Sequence, residues 1–400
     1  MTLKTSLSEP VPAPPSDRGQ WAKPWPVLLM VRELNLGGCE RDLTKIALGL
    51  DRTLFEPHVG CFHPEGFRMA ELQAGGVPVV RFPVTSFGSL SAFTAASQMG
   101  DYMRRHRIRL FHAYDSPTVA WGVMAARFQG APVVLSSQLS YRGLNANRLT
   151  QQLIRWSDRL VDRVVVNCEA MRRHLVDDEG LKTEKTYLCY NGVETEVFYP
   201  PATSARDRRP ELADASVVIG SVCALRREKR LDLILEAYAR VKGLRSGVKV
   251  VMVGSGVERE SLAQQAERLG ISDDVLFVPA QQDVASWLRS MDIFVLSSES
   301  EAFSNALLEA LACGCAPVGS SVGGTPEQIA DGERGFVFPT HDVAALADKL
   351  KRLILDDGLR KTFGQRSAEF ARTELSMGRA CERMGGLYRS LIEQAASRAA

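Results

Sequence analysis

Apolar residues along this chain fall into two kinds of segment, short continuous runs and longer stretches in which they recur with helical spacing. The continuous runs are 27–31 (VLLMV), 57–62 (PHVGCF), 77–80 (VPVV), 110–112 (LFH), 132–135 (PVVL) and 163–166 (RVVV), then 217–222 (VVIGSV), 250–253 (VVMV), 275–278 (VLFV), 292–296 (DIFVL) and 335–338 (GFVF). Rich in Val, Ile and Phe and closed by Gly, Pro or Asn, they read as strands buried on both faces. Between them lie amphipathic segments. One runs through Leu43, Ile46, Ala47 and Leu50, others cover 67–74, a stretch ending at Arg109, and 149–160, and a stripe of Leu231, Ile234, Leu235 and Tyr238 marks another at 231–242. Further helices are expected over 258–269, 283–290 and 377–396. Strands alternating with helices predict an α/β protein whose parallel sheets are covered by helices on both sides.

The alternation breaks once. A turn at Asn191-Gly192 is followed by Pro200, Pro201 and a polar stretch over 204–214, which has the composition of a linker. With 400 residues, 45% of them hydrophobic, the chain can build two cores. The expected division is an N-terminal domain at 25–205, a C-terminal domain at 206–375 and a final helical segment at 376–400. Residues 1–24 hold Pro10, Pro12, Pro14, Pro15 and Pro24 among Ser and Ala, and are expected to be a disordered tail.

Charge and cysteine content narrow the classes. A net charge of +2 lacks the excess of Lys and Arg on which nucleic-acid binding rests. The eight cysteines show no C-x-x-C pair and no metal-ligand spacing, which reads as buried thiols in a reducing compartment. No apolar run approaches the ~20 residues that span a bilayer, and no signal-peptide pattern opens the chain. A cytoplasmic protein is expected. The basic run 104–109 (RRHRIR) reads first as a solvated helix end, since cations favour helix C-termini, and second as a peripheral contact with anionic lipid at the inner membrane face.

Candidate chemistry concentrates in 297–324 (SSESEAFSNALLEALACGCAPVGSSVGG). A helix is predicted to start near 303–305, capped by Ser304 or Asn305, directly after the strand 292–296. Amides at such a helix start suit a phosphate, so Phe303, Ser304 and Asn305 are candidate binding positions. Glu309 is a carboxylate inside an Ala/Leu run, where an unpaired charge is costly to bury. Glu301, eight residues earlier, could face the same elongated ligand, and sugar hydroxyls would satisfy both acids. After strand 217–222, Arg226, Arg227, Lys229 and Arg230 would form a cationic mouth for a diphosphate. No D-x-D pair is present to hold a metal on such a group, so no metal site is expected.

The segment Glu301-Ala302-Phe303-Ser304-Asn305 through Glu309, with Cys313-Gly314, Pro317-Val318 and Val322-Gly323-Gly324, resembles the donor-site motif of the retaining glycosyltransferases of family 4, the group 1 transferases. Ala302 stands where that family usually carries Gly. The resemblance covers about 27–395 and is strongest over 217–338. It implies the GT-B fold, two Rossmann-like doubly wound domains facing a cleft, with the last helix crossing back to the first domain. By resemblance, Glu301 contacts the transferred sugar, Glu309 holds the ribose hydroxyls and the intervening amides bind the diphosphate. Lys229 matches the Lys of the family's G-R-L-x-x-E-K. Its Arg position is Ala224 here, so the Arg role passes to Arg226, with Arg227 in reserve.

The same likeness adds positions that are weak alone. Gly254 and Gly256 match a glycine pair beside the nucleotide, the backbone from Val278 to Ala280 would meet the base, and Gly37 and Gly38 would face the donor from the first domain. His112 ends a strand, where open α/β sheets place ligands. The family often carries His-x-His there, but the second position is Tyr114, so His112, Tyr114 or neither assists catalysis. The implied activity is metal-independent, retaining transfer of a sugar from a nucleotide diphosphate sugar, preferably of uridine, to a hydroxyl of a glycan or lipid-linked acceptor. The donor acts as co-substrate and no cofactor is expected. The alternatives are a GT-B epimerase or phosphorylase, and a non-catalytic nucleotide-sugar-binding protein, the last kept open by Ala224, Ala302 and Tyr114.

Overall fold

The computed structural model describes residues 24–141, 148–201 and 208–399. The predicted tail, except Pro24, part of the predicted linker and residues 142–147 lie outside them. The chain divides into two compact units. The first comprises residues up to Asn167, Arg172–Cys189 and the segment from Met377 onward; the second comprises Cys168–Met171 and Tyr190–Ser376.

The first unit is built on a parallel sheet of β1 (Trp25–Glu33), β2 (Phe55–His63), β3 (Val79–Arg81), β4 (Leu110–Ala113), β5 (Val133–Gln138), β6 (Arg163–Val166) and β7 (Thr186–Leu188). Their order is β3-β2-β1-β4-β5-β6-β7. Val27, Leu29 and Val31 on β1, with Leu110 on β4 and Val133 and Leu135 on β5, are fully or almost fully buried, as expected of strands covered on both faces. The last helix, Met377–Ala399, belongs to this unit and covers one side of the sheet. Its Ala380, Cys381, Met384, Leu387, Tyr388, Leu391 and Ile392 recur with helical spacing and join the cluster of Leu43, Ile46, Ala47 and Phe55. The helix thus returns the chain to its first unit, as the resemblance implied.

The second unit carries β8 (Val217–Val222), β9 (Val248–Val253), β10 (Val275–Val278), β11 (Ile293–Leu296), β12 (Ala316–Ser320) and β13 (Phe336–Phe338), all parallel, in the order β10-β9-β8-β11-β12-β13. Helix Leu231–Val241 lays the predicted stripe of Leu231, Ile234, Leu235 and Tyr238 against β8 and β9. Both sheets are doubly wound and Rossmann-like. In each, the order reverses beside the first strand, between β1 and β4 and between β8 and β11, and at such a switch point the loops leaving the strands open a crevice for ligands.

The main segment of the second unit begins at Tyr190, ahead of the predicted linker. Residues just beyond it already bond within that unit: the Val193 amide donates to Leu375 O at 2.8 Å, and the Asn191 side-chain amide donates to Asn305 Oδ1 at 3.0 Å. The basic run 104–109 forms the last turn of helix Leu90–Arg105 and the turn after it, with Arg104 paired to Asp101 at 2.5 Å and Arg107 in the left-handed region at φ 51°. No helix among the described residues is long and apolar enough to cross a membrane.

Candidate functional site

The switch point of the second unit brings together the loops after β8 and β11. Lys229 closes a short 3-10 turn, Arg227–Lys229, and its ammonium donates to Glu301 Oε1. The Ser298 hydroxyl donates to the same oxygen at 2.9 Å. Both charged side chains are largely buried, so the carboxylate's position is set by two donors rather than by solvent. The loops are also joined through their backbones. Ser297 Oγ donates to Lys229 O at 2.8 Å, and the Glu299 amide donates to Glu228 O at 2.9 Å. Beside them, burial raises the Cys223 thiol to about 11 against the opposing pull of Lys229.

The predicted cationic mouth is largely neutralised by its own surroundings. Arg230 lies in the left-handed region at φ 48°, where its guanidinium grips Asp232 at 2.8–3.2 Å and Glu299 at 3.0 Å. The hydrogen bond to Asp232, outweighing desolvation, raises its pKa further. Arg226 is exposed, with Glu228 3.9 Å away. Of the four cations, Arg226 and Arg227 are exposed, while Lys229 is paired with Glu301.

Helix Asn305–Ala312 starts immediately after this loop. Ser304 is its N-cap, accepting from the Leu307 amide at 3.3 Å. Because the helix begins only at Asn305, Glu301 sits in the loop ahead of it, and the two acids are not held on one helical face as their spacing alone allowed. Glu309 lies in the second turn and is 6% exposed, the buried acid that the Ala/Leu run predicted.

The amides at this helix start are partly committed. Ser304 N–H donates to Gln328 Oε1 at 3.1 Å, so it is not open to a phosphate, contrary to the sequence reading. Phe303 is buried against Tyr190, with ring centroids 5.4 Å apart, and Asn305 Oδ1 accepts from Asn191.

Other predicted donor contacts are occupied by the chain itself. A Cβ on Gly254, at φ 150°, would lie 1.8 Å from Cys223 O, and one on Gly256 would lie 2.2 Å from Leu225 O. These glycines admit the close passage of the 223–225 backbone, which explains them without a ligand. Val278 O accepts the Gly254 amide at 2.8 Å, and the Ala280 amide donates to Ser255 Oγ at 3.0 Å, so these backbone groups are already paired rather than left for a base.

In the first unit, His112 is 0% exposed. Its Nδ1 lies 2.6 Å from the Tyr388 hydroxyl and its Nε2 2.8 Å from Ser137 Oγ. Burial lowers its pKa to about 3, so the ring is neutral. With both nitrogens bonded inside the core it has none to offer a substrate, which corrects the expectation of a catalytic histidine. Tyr114 packs against it at 4.4 Å between centroids, and burial pushes both the Tyr114 and Tyr388 phenols up. Gly37 and Gly38 form the start of helix Gly38–Gly49, with Gly37 extended at φ −79°. A Cβ on Gly37 would meet the Glu40 carboxylate at 1.9 Å, and burial raises the pKa of Glu40. Nearby, Asp115 accepts from the amides of Arg32 at 2.8 Å and Thr118 at 3.0 Å.

Two family models match the chain, glycosyltransferase family 4 over residues 36–197 and the group 1 glycosyl transferases over residues 204–370. The chain belongs to the group 1 glycosyltransferases of family 4. This glycosyltransferase is 27% identical over 281 residues to N-acetyl-alpha-D-glucosaminyl L-malate synthase of Bacillus anthracis, a match covering 68% of the chain and 72% of that protein. It is 32% identical over 221 residues to D-inositol 3-phosphate glycosyltransferase of Kribbella flavida, covering 52% of each chain. Against the second relative, the transferase therefore spans about half the length. Among solved structures, Anabaena HepE in complex with UDP superposes with a TM-score of 0.80 at 20% identity, covering 92% of this chain and all of that one, which shows the GT-B fold.

Lys229, Glu301 and Glu309 stand out in the sequence, whereas Ser298 and Gln328, and the His112 partners Ser137 and Tyr388, do not. Ser298 lies within the 297–324 stretch as one of several serines. The other three are uncharged groups whose partners are distant in sequence, and no spacing announces them.

Proposed function

We propose that this glycosyltransferase moves a sugar from a nucleoside diphosphate sugar, preferably of uridine, to an acceptor hydroxyl with retention of anomeric configuration. The observation that carries the reading is the Lys229–Glu301 pair, fixed by Ser298 at the switch point and followed at once by a capped helix that buries Glu309. Lys229, with Arg226 or Arg227, would neutralise the charge developing on the departing diphosphate. Glu301, held by two donors, would orient the donor sugar and stabilise positive charge at its anomeric carbon. Glu309 would accept from the ribose hydroxyls. Retention follows if the acceptor attacks from the leaving-group face and the departing phosphate takes its proton. No metal or cofactor enters this scheme.

The preference for uridine is supported by the UDP complex of HepE, and an acetylglucosaminyl group is named for the Bacillus relative. The acceptors named for the two relatives are a hydroxy acid and a phosphorylated polyol. A glycan or lipid-linked hydroxyl is the acceptor class proposed here, and on a lipid-linked one the enzyme would work at an anionic membrane surface. A thermal-shift panel of uridine, guanosine and adenosine diphosphate sugars tests the donor. Transfer assays with glycan, lipid-linked, malate and inositol phosphate acceptors, with product anomers read by NMR, test the rest. Stabilisation by none of the donors, or an inverted product, would refute the reading. An altered sugar without acceptor would indicate an epimerase, and release dependent on inorganic phosphate a phosphorylase.

A further inference from the structure

Gln328 lies in the short helix Thr325–Ile329 and is 0% exposed. Its carboxamide forms a two-point bond with one residue of the neighbouring loop: Oε1 accepts the Ser304 amide at 3.1 Å, and Nε2 donates to the Ser304 carbonyl at 3.0 Å. Ser304 is the N-cap of the helix that carries Glu309, and its carbonyl also accepts the Leu308 amide at 3.0 Å. Every polar group of the cap is thereby assigned, two of them by Gln328.

The other end of Gln328 is equally constrained. Arg334, 6% exposed and stacked 3.7 Å over the Phe370 ring, donates from Nε to Gln328 O at 3.0 Å and from Nη2 to Glu327 O at 2.9 Å. The Gln328 amide donates to Gly324 O at 3.0 Å, and the Gly324 amide donates to Ala302 O at 2.7 Å. The loop from Glu301 to Asn305 is thus gripped at Ala302 and at Ser304 by one short segment, with Phe303 between the two grips.

We propose that Gln328 is a positioning residue for the donor site: its carboxamide clamps Ser304 and so sets the placement of Glu301 and of the helix bearing Glu309. This deepens the proposed function and rests on it. Only a side chain presenting donor and acceptor together at this length satisfies both groups of Ser304. Leu matches the volume and offers neither. Ionised Glu offers two acceptors and would oppose the Ser304 carbonyl, whereas protonated Glu again presents one donor and one acceptor.

That chemistry gives a test that packing alone does not move. UDP affinity by calorimetry and kcat/KM for the donor are measured for wild type, Gln328→Leu and Gln328→Glu between pH 5 and 8, with hydrogen exchange of the 301–308 backbone followed in parallel. Gln328→Leu should weaken UDP binding about tenfold or more at every pH, the scale of a buried donor left unpaired, and should lose exchange protection at 301–308 with the first-unit sheet unaffected. Gln328→Glu should match it at pH 8 and recover toward wild type as pH falls. Wild-type affinity in Gln328→Leu, or a Gln328→Glu to wild-type ratio that does not change with pH, would overturn the proposal. If Leu at 328 prevents folding, the pH ratio of Gln328→Glu decides alone. Should wild type itself bind no nucleoside diphosphate, the proposed function fails, while unchanged exchange at 301–308 in the variants would separately refute the clamp.

Discussion

The Lys229 ammonium and the Ser298 hydroxyl donate to one and the same carboxylate oxygen of Glu301, the latter from 2.9 Å. A cation and an acid from the loops after two different strands are thereby joined across the switch point of the sheet, where such folds place their ligands. A diphosphate arriving here would compete with Glu301 for Lys229 and leave the carboxylate facing the sugar.

Glu301→Gln keeps the size of the side chain and an acceptor for Lys229 while removing its charge. The expected result is a fall in kcat of about 100-fold, the scale of losing one preorganised electrostatic contact, with UDP affinity changed only a few-fold. Steady-state kinetics beside calorimetry separates the two. An unchanged kcat would remove Glu301 from the chemistry.

His112 gives a pH dependence of stability rather than of rate. Its pKa is lowered to about 3 by burial, from 6.5 for the free side chain, so the unfolded chain takes up a proton that the native state refuses. The stability held by the neutral, buried ring is complete above about pH 6.5 and is lost as pH falls toward 3, at up to about 1.4 kcal/mol per pH unit. Burial lowers the pKa of His58 as well, which adds in the same direction. Urea unfolding at pH 7 and pH 5 should show a smaller acid loss for His112→Gln than for wild type. An equal loss would contradict the neutral assignment.

Tyr388→Phe deletes the hydroxyl that meets His112 Nδ1 and leaves a buried ring nitrogen without that partner. A loss of about 1–3 kcal/mol in unfolding free energy is expected, with UDP affinity unchanged because both groups lie in the core of the first unit. A selective loss of UDP affinity with no loss of stability would contradict this placement.

Gly323 lies at φ 47°, and a Cβ there would fall 1.7 Å from Glu301 O. Gly323→Ala should therefore displace the loop carrying Glu301 and lower both donor affinity and melting temperature. Gly332→Ala is the control: at φ 75° it meets nothing within 4 Å and carries backbone strain alone, of about 1–2 kcal/mol. Equal effects of the two substitutions on UDP binding would refute the steric argument.

Much of the fold was legible because parallel strands buried on both faces are written as largely apolar runs, as at Val27 to Val31 and Val250 to Val253. Glu309 stood out as a charge inside an Ala/Leu run, where an unpaired charge is costly to bury, and Lys229 as part of a basic run after a strand and by its match to the family motif. His112 misled because a strand-end position says where a residue lies along the sheet and not which way its ring turns; here the ring turns into the core toward Tyr388, which is 276 residues away in sequence. Gly254 and Gly256 were singled out by their match to the family's glycine pair, and the structure gives them a steric reason of their own, the close passage of Cys223 and Leu225. Gln328 left no trace, because a neutral amide beside Ile329 has no periodicity to break.

The central claim is that Lys229 and Glu309 belong to one nucleoside diphosphate site. Calorimetric titration of UDP into wild type, Lys229→Ala and Glu309→Ala tests it most directly. The predicted result is saturable binding by wild type that weakens about tenfold or more in each variant, as expected for loss of a charge-assisted hydrogen bond. Wild-type affinity in both variants would contradict it.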